Sequence, residues 1–273
     1  MSRPLWFVEM LKRSFPGRFQ FARLTQIKPI GAIVQRWLFK GDELIYLPKN
    51  LRIPVGESPS MQTEYVVPEQ IIDHFIQEAS DLWIMDECIC RSASDCRDFP
   101  VDLGCLFMGA AARGINRRLG RPASRVEARA HVERARRAGL VHLIGRNKLD
   151  TVWLGVGPGD KLLTVCSCCP CCCLWRMHPE LNAGIRAALQ RIPGVSVVVT
   201  DNCTGCELCA DDICFVSAIT MVSGRARIGD GCLGCGRCVG ACPEEAITFN
   251  VEDNEFIQST INRISPLVDV RSL

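Results

Sequence analysis

The stretch that decides this chain reads Cys203-Thr204-Gly205-Cys206-Glu207-Leu208-Cys209-Ala210-Asp211-Asp212-Ile213-Cys214. It is answered by Cys232-Leu233-Gly234-Cys235-Gly236-Arg237-Cys238-Val239-Gly240-Ala241-Cys242-Pro243. Eight thiols stand in two tandem runs, each with two residues between its first three cysteines and a longer step to the fourth. Cys203, Cys206 and Cys209 recur 29 positions later as Cys232, Cys235 and Cys238. Cys214 recurs 28 positions later as Cys242, and Ala218-Ile219-Thr220 recurs at that same offset as Ala246-Ile247-Thr248. One extra residue therefore lies between Cys209 and Cys214, and Phe215 stands where the second run has Pro243.

Over residues 198–252 this pattern resembles the two-cluster bacterial ferredoxins. The resemblance implies two [4Fe-4S] clusters, each held by three cysteines of one run and the fourth cysteine of the other. Cys203, Cys206, Cys209 and Cys242 would hold one cluster; Cys232, Cys235, Cys238 and Cys214 would hold the second. Zinc sites use paired Cys-x2-Cys knuckles with four thiols per ion, and have no need of a third cysteine at the same step. Backbone amides that donate to sulfur tune a cluster's potential. The irregular first run therefore predicts two clusters of unequal potential.

With 273 residues, the chain has room for two domains or for one domain with a module attached. Its formal charge of +2 gives no strong attraction to nucleic acid or anionic lipid. Eighteen cysteines in a chain of this length, with no apolar leader at the N-terminus, do not read as a secreted disulfide framework. No run of 18 apolar residues predicts a membrane-spanning helix. Clustered thiols read instead as metal-bound thiols in a reducing compartment, so a cytoplasmic protein of an organism living with little oxygen is expected.

Ten thiols lie outside the repeat: Cys88, Cys90, Cys96 and Cys105, then Cys166, Cys168, Cys169, Cys171, Cys172 and Cys173. Six thiols in eight residues have no packing role. The two groups are expected to meet around at least one further iron-sulfur centre; a redox-active dithiol and zinc are the alternatives. A strand through Cys88 and Cys90 would put both on one face. The Cys-x-Cys-Arg start and the Cys-Cys-x-Cys-Cys-Cys loop resemble a group of uncharacterised 4Fe-4S proteins of anaerobic bacteria and archaea that also end in a ferredoxin module. That likeness implies no particular activity. The B subunit of heterodisulfide reductase is a poorer likeness, because its glycine after the cysteine pair and its long regular spacings are missing here.

The expected fold is α+β, with a mixed N-terminal domain (1–194) carrying the extra cysteines, a ferredoxin-like module (195–252) and a C-terminal tail (253–273). Helices are expected over 5–11, from Pro68 to Ala79, over 106–119, from the Ser124-Arg-Val-Glu127 capping box to Ala138, over 179–191, and over 254–264. Strands are expected over 42–48, 82–85, 140–144 and 195–199, a loop over 54–60, and a hairpin around Ser223-Gly224. Trp6, Phe7 and Trp37 read as core or subunit packing rather than a partner surface. Helix, helix and strand within 105–160, with Arg113, Arg117, Arg118, Arg121, Arg125, Arg129, Arg134, Arg136, Arg137 and Arg146, match a winged helix. Arginines more often solvate helix faces than bind nucleic acid. His74, His131, His142 and His178 stand alone and read as ordinary surface or core residues.

The functional expectation is an electron-transfer protein, more a component of an oxidoreductase system than an enzyme alone. It would relay single electrons between a redox partner protein, two cubanes and an N-terminal centre. A reductase subunit with substrate at that centre is the alternative, with Asp86, Glu87 or His178 as proton donor. A redox-sensing winged-helix regulator is the third reading.

Overall fold

The computed structural model describes residues 2–55, 63–252 and 255–272. Its strands are β1 (Glu43–Tyr46), β2 (Arg52–Val55), β3 (Thr63–Val66), β4 (Leu82–Met85), β5 (Leu106–Met108), β6 (Gly120–Pro122), β7 (Val141–Arg146), β8 (Leu163–Cys168), β9 (Leu189–Arg191), β10 (Val195–Val199), β11 (Ile219–Val222), β12 (Arg225–Ile228) and β13 (Ile247–Val251). Seven of them form one sheet in the order β6-β4-β5-β8-β7-β1-β9. Every neighbouring pair in it is antiparallel except β1 and β9.

The sheet is covered on both faces, and side-chain parity sorts its residues. Leu82, Ile84, Leu106, Met108, Leu163 and Val165 pack toward the helices Val67–Glu78 and Phe256–Ile264 and toward Ala128 and Val132 of the helix Arg125–Arg137. Trp83, Met85 and Phe107 face the opposite way, as do Leu44, Tyr46, Leu143 and Cys168. Pro68 sits in the first turn of its helix, and Ile71, Ile72, Phe75 and Ile76 form the buried stripe. The Ser124–Glu127 capping box is formed on both sides. The C-terminal helix, whose Phe256 and Ile264 are fully enclosed, joins this core; position 254, where it was expected to start, lies outside the described residues. Residues 195–252 make two small antiparallel sheets, β10-β13 and the hairpin β11-β12. Ser223 (φ 51°) and Gly224 (φ 75°) form the expected hairpin turn.

Five sequence expectations are corrected. Residues 106–119 are not a helix: Leu106–Met108 is claimed by β4 on one side and β8 on the other. Gly109 then takes φ 99°, where a Cβ would lie 2.6 Å from the Lys161 carbonyl oxygen. A short 3₁₀ turn, Ala110–Gly114, and β6 follow. Residues 105–160 therefore lack the helix, helix, strand order of a winged helix. Their Arg113, Arg121, Arg129, Arg134, Arg136 and Arg137 are ion-paired with Asp81, Glu127, Asp73, Asp102, Glu69 and Glu133. Residues 179–191 break into a 3₁₀ segment, the short helix Ala183–Arg186 and β9, because Asn182 caps a new turn and Leu189 is drawn into the sheet beside Leu44. Trp6 and Trp37 are not core residues, being 66% and 70% exposed. Of the loop expected over 54–60, Pro54 and Val55 end β2, and 56–60 lie outside the described residues.

Candidate metal centres

In the repeat, the chain folds so that the two runs exchange their last cysteine. Cys203, Cys206, Cys209 and Cys242 line one small cavity, with Met221, Pro243 and Ile247. Cys238 has the thiols of Cys235, Cys232 and Cys214 around it; burial, and after it those three neighbours, push its own thiol up to about 12. Backbone amides point at the sulfurs. Ala218 N donates to Cys214 Sγ at 3.2 Å, and Ala246 N donates to Cys242 Sγ at 3.3 Å, each from four residues beyond. Gly234 N donates to Cys232 Sγ at 3.4 Å and Ala226 N to Cys203 Sγ at 3.5 Å. The extra residue before Cys214 is absorbed by the loop 207–213, where Glu207 and Asp212 adopt positive φ. It does not disturb the amide that faces Cys214.

These residues fit a polynuclear cluster. The donor set is all thiol, the amides supply hydrogen bonds to sulfur, and the sulfurs are spread out. Among the described residues no three of these eight thiols lie within 4.8 Å of one another. The two sets differ in setting. Cys206 is exposed, whereas Cys214, Cys232 and Cys235 pack against the core that holds Tyr46, Trp175 and Phe215.

The ten other thiols do meet. β4 and β8 both end, and β5 begins, at one edge of the sheet. Register places Leu106 opposite Val165, which brings Cys105 Sγ to 3.4 Å from Cys166 Sγ. Cys88 is not in a strand: it caps the short helix Ile89–Ser92, which carries Cys90. Cys90 nevertheless hydrogen-bonds Cys88, holding the Cys88 thiol down at about 6. Cys168 and Cys173 form a third bonded pair. These six thiols, together with Cys169, border a cavity of about 450 Å³. Its other walls include Phe7, Leu11, Phe15, Phe21, Trp153 and Met177. Cys96, Cys169, Cys171 and Cys172 form a separate, tighter group.

Two cations that the cysteine count overlooked stand among the thiols. Arg91 is completely buried. It donates to the carbonyls of Pro100 (2.8 Å), Ser167 (2.7 Å) and Leu103, and the thiols of Cys88, Cys169 and Cys105 stand around it. Arg237 is buried too, stacks 5.5 Å from the Phe215 ring and donates to the Cys168 carbonyl at 2.6 Å. The only sequence signal was their position, directly after Cys90 and directly before Cys238.

None of the expected proton donors lines the cavity. Lys12 pairs with Glu87, Asp86 is exposed, and burial lowers His178 to about 4. Asp150 does line it. Burial raises its carboxyl, which accepts hydrogen bonds from Asn147 (2.7 Å), Trp153 (2.9 Å) and Thr164 (2.9 Å). Among the described residues no histidine joins a three-ligand group, and no helix is long and apolar enough to cross a membrane.

A family model described as a 4Fe-4S binding domain matches residues 228–248, from the end of β12 through the second cysteine run into β13. No curated protein and no solved structure matches the chain. The match supports a ferredoxin-like iron-sulfur module at the C-terminal side of an α+β fold, with 4Fe-4S binding and electron transfer as its chemistry.

Proposed function

We propose that this protein relays single electrons between an exposed docking point near Cys206 and a thiol-lined centre in the 1–194 region. The ligands would be Cys203, Cys206, Cys209 and Cys242 for an outer [4Fe-4S] cluster, and Cys232, Cys235, Cys238 and Cys214 for an inner one. Such clusters supply one-electron storage at potentials set by hydrogen bonding and burial. The observation that carries the reading is the seam between the two thiol sets. Arg237, one residue before Cys238, hydrogen-bonds the Cys168 carbonyl, and Cys168, Cys173, Cys214, Cys232 and Cys235 belong to one apolar core. Arg91 and Arg237 would offset the negative charge of thiolates and reduced clusters, a strong effect where water is excluded. The cavity pairs Cys88/Cys90, Cys105/Cys166 and Cys168/Cys173 would hold the third iron-sulfur centre. The partner would be a redox protein, in a reducing cytoplasm.

Iron and sulfide analysis of anaerobically purified full-length protein tests this. The repeat accounts for about eight irons and eight sulfides, two cubanes. The protein should exceed that, and Cys88→Ser with Cys90→Ser should remove the excess while the repeat's reduced-state EPR signal persists. Equal iron in both proteins removes the third centre.

A reductase reading is favoured by one observation, the apolar aromatic walls of the cavity beside the thiols, with the buried Asp150 carboxyl on the same lining. An open cavity of this size suits a small apolar substrate.

A further inference from the structure

The ten cysteines outside the repeat are spaced in two different ways. Six line the cavity in pairs, and Cys169 lines it beside them. The other four, Cys96, Cys169, Cys171 and Cys172, bring all their Sγ atoms within 4.8 Å of one another. Cys96 and Cys171 are 3.6 Å apart, and Cys171 and Cys172 are 3.5 Å apart. We propose that these four thiols hold one tetrahedral thiophilic metal ion, zinc or a lone iron, and take no part in an iron-sulfur cluster.

Geometry is the first reason. Metal–sulfur bonds of about 2.3 Å around a tetrahedral ion put the sulfurs about 3.8 Å apart. On a cubane each thiolate extends outward from a different iron, so its sulfurs must stand farther apart than around one ion. The chain contains its own comparison: among the described residues no three of the other 14 cysteines, those of the repeat included, come within 4.8 Å of one another.

Local structure is the second reason. Cys169-Pro170-Cys171-Cys172 gives a two-residue step between Cys169 and Cys172 on a turn, and Cys172 N donates to Cys169 Sγ at 3.3 Å. That is the knuckle spacing of tetrathiolate sites. Four protein thiols complete the tetrahedron and leave no position for substrate, which marks a structural site rather than a catalytic one. Leu103, Ala135 and Leu140 close over the buried Cys169 and Cys172. Four thiolates on a divalent ion carry net negative charge. Arg91 hydrogen-bonds Cys169, and Arg176 donates to the Cys171 carbonyl at 2.8 Å.

The ion would tie the turn after β8 to the loop holding Cys96, and so fix one wall of the cavity. The proposal does not depend on the relay, which uses the repeat and the six cavity thiols. Its test is zinc, iron and acid-labile sulfide per chain in full-length protein and in Cys96→Ser with Cys171→Ser. The variant should lose one metal ion and no sulfide. Loss of sulfide together with iron, or no loss of metal, overturns the proposal. Because that variant could fail to fold, the unaltered protein supplies a second reading. Zinc-edge absorption should show four sulfurs at about 2.3 Å and no metal neighbour; if iron fills the site, the oxidised protein should show the EPR signal of an isolated high-spin ferric ion. Absence of both signatures overturns it as well.

Discussion

Arg91 shows how much one residue can fix here. Its guanidinium satisfies three carbonyls, at Pro100, Leu103 and Ser167, that belong to the loop before β5 and to the end of β8. A buried carbonyl stripped of its donor costs about 1–3 kcal/mol. Arg91→Met should therefore lower unfolding stability by several kcal/mol, and Arg91→Lys by less, since an ammonium can restore part of the bonding. A chemical unfolding midpoint for Arg91→Met that matches the unaltered protein would show that water replaces the guanidinium. Sequence alone made Arg91 a neighbour of Cys90 and nothing more. Its importance comes from residues as far as 76 positions away.

At the scale of elements, the inserted residue before Cys214 has a different consequence from the one its position in the repeat suggests. The amides facing Cys214 and Cys242 sit at 3.2 and 3.3 Å from their sulfurs, so this hydrogen bond does not distinguish the two proposed clusters. Burial does, because Cys206 is exposed while Cys235 lies against the core. Two distinct potentials are still expected, because burial and neighbouring charge tune a cluster. Deleting Asp211 should leave that gap in place. An EPR-monitored redox titration in which the deletion merges the two potentials would return the cause to the insertion. The loop of six cysteines is resolved the same way. Parity on β8 sends Cys166 and Cys168 to the cavity, and the turn after it sends Cys171 and Cys172 elsewhere.

The whole molecule depends on a segment far from any cysteine. Phe256, Ile261 and Ile264 of the C-terminal helix fill the core beside Ile71, Ile72 and Phe75. Removing a buried phenylalanine side chain costs about 3–5 kcal/mol. Phe256→Ala should therefore destabilise the 1–194 region as a whole, and thermal unfolding should show a single lowered transition. If only the repeat's cluster absorption were lost, the tail would belong to the module instead.

The repeat was legible without any structure, because cysteine spacing is a local quantity and cluster ligation constrains it directly. The capping box, the amphipathic stripe after Pro68 and the Ser223-Gly224 turn were legible for the same reason. No local signal marked Leu106–Met108 as a strand inside the helix expected over 106–119; pairing with β4 and β8 decided it, and sheet pairing is a contact between distant parts of the chain. The division of ten thiols into a tight four and three pairs was equally invisible. It rests on the register that sets Cys105 against Cys166 and on a turn that carries Cys171 to Cys96, 75 positions away. Sequence determined which atoms can bind metal; only the tertiary structure decided which of them stand close together, because sulfur-to-sulfur distance is fixed by packing and not by order along the chain.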